Sequence, residues 1–172
     1  QHQLENQRPL HGKSCVILTR NFALSSLIQT YCENWQMKTH LASSLDASVA
    51  SKIVEFNPDI VIADPLTLTD ENQMKQFAKQ LIQQRIPAIF LSSIGESGIR
   101  IDEAVFPLIR TLYKPVSELK LLRDTLSMIQ RKVGIEVHEN AFKSEAEASA
   151  PQGGDFAKAY PAKILIVEDV MM

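Results

Sequence analysis

Short, continuous apolar runs alternate along this chain with longer stretches in which apolar positions return every three or four residues. Ser14–Leu18 (S-C-V-I-L) is the first of the short runs. Runs of this kind, lacking a polar face, fit strands buried on both sides. Phe22, Leu24, Leu27, Ile28, Tyr31 and Trp35 then recur at helical spacing behind Asn21, a residue suited to capping. The unit repeats: Lys38–Ala42 extended, Ala47–Phe56 helical with Val49, Ile53 and Phe56 facing inward, and Asp59–Ala63 a strand introduced by Pro58. A helix near Glu71–Gln84 leads to a strand at Ala88–Leu91, again behind a proline, Pro87. Gly95 and Gly98 weaken the next segment, where only Ile99–Val105 could hold a short helix. Thr111–Tyr113 reads as the fifth strand. Ser117–Lys132 reads as the last helix, with Leu119, Leu122, Leu126 and Ile129 inward.

Regular alternation of this kind predicts an α/β, flavodoxin-like, doubly wound sheet of five parallel strands with helices on both faces and right-handed crossovers. In such folds reactive groups collect at the carboxyl ends of the strands. The residues standing there are Thr19, Arg20, Asp64, Ser92 and Lys114.

From Val133 to Pro161 the apolar pattern gives way to small and acidic residues that cannot bury a core, which predicts a flexible linker. Its acidic tract, Glu136–Glu147, reads as a solvated tether. Ala162–Val167 (A-K-I-L-I-V) then resembles a new buried strand, followed by Glu168 and Asp169. The expected organisation is a lead at 1–11, one domain at 12–132, a linker at 133–161, and the first strand of a second domain at 162–172. The absence of Met at position 1 fits a piece of a larger protein.

Composition narrows the function. A net charge of −2 over 172 residues provides no basic stripe for nucleic acid. Cys15 and Cys32 lie in apolar surroundings without a C-x-x-C spacing, and read as buried reduced thiols suited to a reducing cytoplasm. The four histidines are scattered without ligand spacing, which argues against zinc. No apolar run reaches the roughly 20 residues of a membrane span, so direct membrane contact is not expected.

The strand ends carry a resemblance. Gly12–Asn21 resembles the G-K-x-x-x-L-V-D-D-N opening of the receiver domains of bacterial two-component systems. Pro58–Asp64 is similar to the strand that leads to their phosphorylated aspartate, Ile86–Ser92 to the strand ending in Ser or Thr, and Tyr113-Lys114-Pro115 to their Lys-Pro. The resemblance spans Gly12 to about Gln130. It implies that Asp64 is the phospho-acceptor position and that Ser92 and Lys114 are phosphoryl-contact positions. It also implies a site where a carboxylate attacks phosphorus while a dication and a lysine neutralise the developing charge.

The departures matter as much. The family's two metal-binding acids are replaced by Thr19, a neutral oxygen, and Arg20, a fixed positive charge that repels a dication. No cofactor is therefore expected, magnesium included, and Arg20 is expected to pair with Asp64 in the metal's stead. Thr111 stands where many receivers place a switching Tyr or Phe, and Gly95–Ile101 departs from their fourth helix. In the same comparison Glu168 and Asp169 resemble the intact acidic pair of a second receiver. Two tandem receivers resemble the C-terminal half of hybrid sensor histidine kinases, whose parent could be anchored in the inner membrane. The resulting expectation is a non-enzymatic pseudo-receiver that docks and spaces the kinase core and the second receiver of the same protein. The exposed side of its last helix is a candidate homodimer contact. The rival readings are a working receiver with atypical metal dependence at Asp64, and a small-molecule sensor. Thr19-Arg20-Asn21-Phe22 offers the latter no Gly-rich phosphate loop.

Overall fold

The computed structural model describes residues 9–65, 70–95 and 105–148. Its strands are β1 (Ser14–Leu18), β2 (Lys38–Ala42), β3 (Ile60–Ala63), β4 (Ala88–Ser92) and β5 (Ile109–Tyr113). The helices are α1 (Phe22–Asn34), α2 (Ala47–Phe56), α3 (Glu71–Gln83) and α4 (Glu118–Ala148). The strands form one sheet in the order β2-β1-β3-β4-β5, every neighbouring pair parallel. The sequence pattern anticipates all five.

Alternation along the strands divides the interior into two apolar clusters. Cys15 and Ile17 of β1, Ile60 and Ile62 of β3, and Ile89 and Leu91 of β4 face one cluster, which α1 and α4 close with Ile28, Cys32, Leu121 and Met128. Val16 and Leu18, Val61 and Ala63, and Ala88 and Phe90 face the other, closed by α2 and α3 with Ile53, Met74, Phe77 and Leu81. Each central strand is thus apolar on both sides because helices cover both sides. Side chains at Asn21, Asp46 and Asp70 accept the N–H two to three residues into α1, α2 and α3 and start these helices cleanly.

Cys15 and Cys32 are free and buried, as expected. A hydrogen bond with Cys32, reinforced by burial, holds the Cys15 thiol well above its ordinary pKa and keeps it protonated.

Several local expectations change. Strand β5 begins at Ile109 rather than Thr111, and β3 at Ile60 because Asp59 turns aside to bond the start of β1. Two residues expected inward are exposed, Leu119 by 78% and Phe56 by 47%. Phe56 instead meets the His40 ring of edge strand β2 edge-on at 4.4 Å. The linker expected from Val133 starts as helix, for α4 continues to Ala148. Loss of an apolar stripe suggested a break there, but Ala, Glu and Lys sustain a helix by backbone preference alone. The short helix at Ile99–Val105 falls almost wholly outside the described residues, as do the strand at 162–167 and the acidic pair Glu168–Asp169. Gln1–Val137 form one compact unit and His138–Met172 another, of which the described part is the end of α4.

Two polar ties brace the first unit. At the start of β1 and β3, the Asp59 carboxylate accepts the Ser14 N–H at 2.8 Å, the Ser14 hydroxyl at 3.1 Å and Lys13 Nζ at 3.3 Å. On β5, Arg110 meets the buried Asp124 of α4 at 2.9 Å. Partial burial pushes the Asp59 pKa up, but the Ser14 N–H, the Lys13 charge and the Ser14 hydroxyl outweigh it and leave the pKa lowered. A carboxylate with a depressed folded pKa contributes stability that is full above its unfolded value of about 3.9 and is lost as pH falls through the folded value. Asp59→Asn should therefore flatten the acid limb of a plot of stability against pH below about pH 4, and cost about 1 kcal/mol at neutral pH, both read by urea unfolding. Asp124→Ala should cost about 3 kcal/mol because it removes one member of a largely buried ion pair, measured in the same way.

Candidate functional site

Ladder hydrogen bonds carry the sheet one residue past its strands and fix the site at the carboxyl edge. Thr19 N–H donates to the Ala42 carbonyl at 3.0 Å, Asp64 N–H to the Leu18 carbonyl at 2.9 Å and Lys114 N–H to the Ser92 carbonyl at 2.8 Å. Residues distant in sequence therefore converge through their backbones, as the expected topology requires. The Lys114–Pro115 peptide bond is cis.

The Asp64 carboxylate is fully buried. Lys114 Nζ donates to both of its oxygens, each at 3.0 Å. The Thr19 hydroxyl approaches Oδ2 at 3.5 Å, the long limit of a hydrogen bond, and is itself buried. On its other side the same hydroxyl accepts the Asn21 N–H at 3.1 Å, and the Asn21 side chain accepts the Leu24 N–H at 3.0 Å at the start of α1. Lys114 supplies a positive charge to Asp64, and Arg20, expected to pair with that carboxylate, is an exposed loop residue. Ser92 is half-buried at the end of β4, where its hydroxyl makes a long contact of 3.5 Å to the Ser93 carbonyl.

Asp64, Lys114 and Thr19 are thus brought together, and Ser92 ends β4, the strand between β3 and β5. The sequence reading treated Thr19 as a bare loss of an acid and missed its role as a connector. The signal was present in T-R-N, where a hydroxyl lies two residues before a helix cap. Asp59, five residues before Asp64 and bonded to a lysine of its own, was likewise read only as the strand's first residue.

Among solved structures the chain is similar to the signal receiver domain of a protein assigned as the Luxo repressor of Vibrio parahaemolyticus, at 15% identity and a TM-score of 0.60 over 74% of this chain and 98% of that one. The fold is that of receiver domains. A receiver domain protein from Clostridium thermocellum matches at 20% identity and TM-score 0.55, over 72% and 98% of the two chains. The receiver domain of the sensor histidine kinase PA1611 of Pseudomonas aeruginosa, solved with magnesium in its active-site cleft, matches at 18% identity and 0.55, over 69% and 98%. No family model and no curated protein matches the chain.

The receiver fold raises the question of a metal. Magnesium requires near-octahedral hard oxygen donors, usually including more than one carboxylate or a substrate phosphate. Among the described residues this edge provides one carboxylate, already clamped by an ammonium, beside a neutral hydroxyl and a guanidinium-bearing residue. Among the described residues no three His, Cys, Asp or Glu side chains gather where they could hold an ion. The donors do not fit magnesium. The double change Thr19→Asp with Arg20→Asp should create binding of magnesium chloride in isothermal calorimetry, where the unaltered chain gives no heat beyond dilution.

Proposed function

We infer that residues 12–132 are a receiver-like module of two-component signalling that accepts no phosphoryl group and works by position, as a docking and spacing piece of a hybrid sensor histidine kinase. The observation that carries this reading is the clamped carboxylate of Asp64 in a site whose acidic pair is Thr19 and Arg20. Acyl phosphate formation needs the carboxylate free to attack and a dication to screen the incoming oxygens. With an ammonium on both oxygens and no partner acids, the attack lacks its electrophilic assistance. The module is not an enzyme in this reading, and it holds no cofactor.

Docking draws support from the same edge. Phe22, just past β1, and Ile94, just past β4, are 83% and 85% exposed, and Tyr113 at the end of β5 is half exposed. Large apolar side chains left in water at loop ends are suited to contacts with another protein. The partners proposed are the kinase core and the second receiver of the same parent, whose acidic pair would be Glu168 and Asp169. The exposed Leu119 on α4 suits a homodimer contact. Among the described residues no helix is long and apolar enough to cross a membrane. A cytoplasmic setting is proposed from the two reduced, buried thiols.

One observation favours a second reading. Asp64, Ser92 and Lys114 still end three successive strands in the spatial order of a working receiver. Incubation with acetyl phosphate and magnesium, followed by intact mass spectrometry with Asp64→Ala as control, decides between the two. The expected result is no gain of a phosphoryl group. An adduct that forms only with magnesium and disappears in Asp64→Ala would establish the working receiver instead.

A further inference from the structure

Resting on the reading above, the geometry points to a mechanical task for the retired acceptor. We propose that Asp64 is the middle link of a polar latch, Leu24–Asn21–Thr19–Asp64–Lys114, which couples the start of α1 to the end of β5. Leu24 N–H donates to the Asn21 side chain at 3.0 Å, Asn21 N–H to the Thr19 hydroxyl at 3.1 Å, that hydroxyl to Asp64 Oδ2 at 3.5 Å, and Lys114 Nζ to both Asp64 oxygens at 3.0 Å.

A hydroxyl can serve here where a carboxylate could not. Thr19 accepts from Asn21 and donates to Asp64 at the same time, using its one proton and one of its lone pairs. An aspartate at this position would have no proton to give and would repel Asp64 at close range. Replacement of an acid by threonine therefore does more than remove a metal ligand; it supplies the joint between the α1 cap and the buried carboxylate. Lys114 then completes the charge balance within the protein, so the joint needs no ion.

Location gives the latch its consequence. Strands β1, β3 and β5 are not all neighbours in the sheet, since β4 lies between β3 and β5. The side-chain chain spans that gap and joins the first turn of α1, where Phe22 is exposed, to the strand that ends in Tyr113. A partner pressing on either side chain acts on the other through Asp64. Such coupling requires a direct energetic demonstration.

Thermal unfolding of the full 172-residue chain provides it. Thr19→Val should lower the melting temperature by about 3–6 °C and Lys114→Met, which strands a buried carboxylate, by about 10 °C or more, with the double variant lowering it by clearly less than the sum of the two. Thr19→Ser, which keeps the hydroxyl, should stay within about 1 °C of the parent. Amide exchange gives a readout that a local packing role would not move: Lys114→Met, a change on β5, should speed exchange at the Asn21 and Leu24 amides about tenfold. Additive melting shifts, or unchanged exchange at these two amides, would overturn the latch. If Lys114→Met does not fold, a Thr19→Ser variant that melts as low as Thr19→Val overturns it equally. Magnesium-dependent phosphorylation of Asp64 in the parent chain would sink the silent-site reading while leaving these melting and exchange results to judge the latch alone.

Discussion

A carboxylate with no exposure to water must find its counter-charge inside the protein or give up its own. Asp64 finds it in Lys114, which bonds both oxygens, and the remaining architecture of the carboxyl edge follows from that pairing. To deliver the ammonium, β5 must end at Tyr113 beside β4, and the ladder bond from Lys114 N–H to Ser92 fixes the approach. To deliver the carboxylate, β3 must lie between β1 and β4, where its four apolar residues are covered by helices on both faces. The ion pair is a polar element at the end of an apolar strand. It is tolerated because it is complete, whereas removing one member would leave an uncompensated charge in a low-dielectric setting.

The same pairing separates ancestry of form from chemistry. Similarity to receiver domains at 15% to 20% identity shows the fold, which hosts a site at its carboxyl edge by virtue of parallel strands and short loops. Whether that site reacts depends on a few side chains that the fold does not dictate. Thr19 and Arg20 alter the local electrostatics without disturbing the strand they follow, since Thr19 N–H still continues the ladder to Ala42. Phe22, Ile94 and Tyr113 stand exposed around the carboxyl edge whatever chemistry that edge performs.

Most of the fold was legible because two-sided burial writes an unmistakable pattern: V-I-L, I-V-I-A and A-I-F-L admit no polar face, and the intervening Pro58 and Pro87 mark where each strand begins. The start of α1 behind Asn21 was equally plain because a capping side chain is a local matter. What escaped was tertiary or propensity-driven. Phe56 has the spacing of a core residue yet turns to His40 on the sheet edge, a pairing set by which strand lies outermost. The continuation of α4 beyond Lys132 carries no amphipathic signature, so a reading based on burial stops where backbone preference does not. At the site, residue types identified Asp64, Ser92 and Lys114, but the partner of the carboxylate depended on distances across three strands. A sequence shows that Arg20 and Lys114 are both cations; it does not show which one points inward.

Strand β3 is bracketed by two acids, Asp59 before it and Asp64 after it, each held by a lysine from another part of the chain. Because the four residues between them are apolar on both faces, inside-outside patterning cannot by itself choose which β3 residue lies opposite which residue of β1 and β4. The bracketing charges make that choice. Sliding the strand in either direction along its neighbours would drag one carboxylate into the hydrocarbon interior and pull the other off its ammonium. The two aspartates thus act as end stops, and the central strand of the sheet is aligned by its ends rather than by its middle.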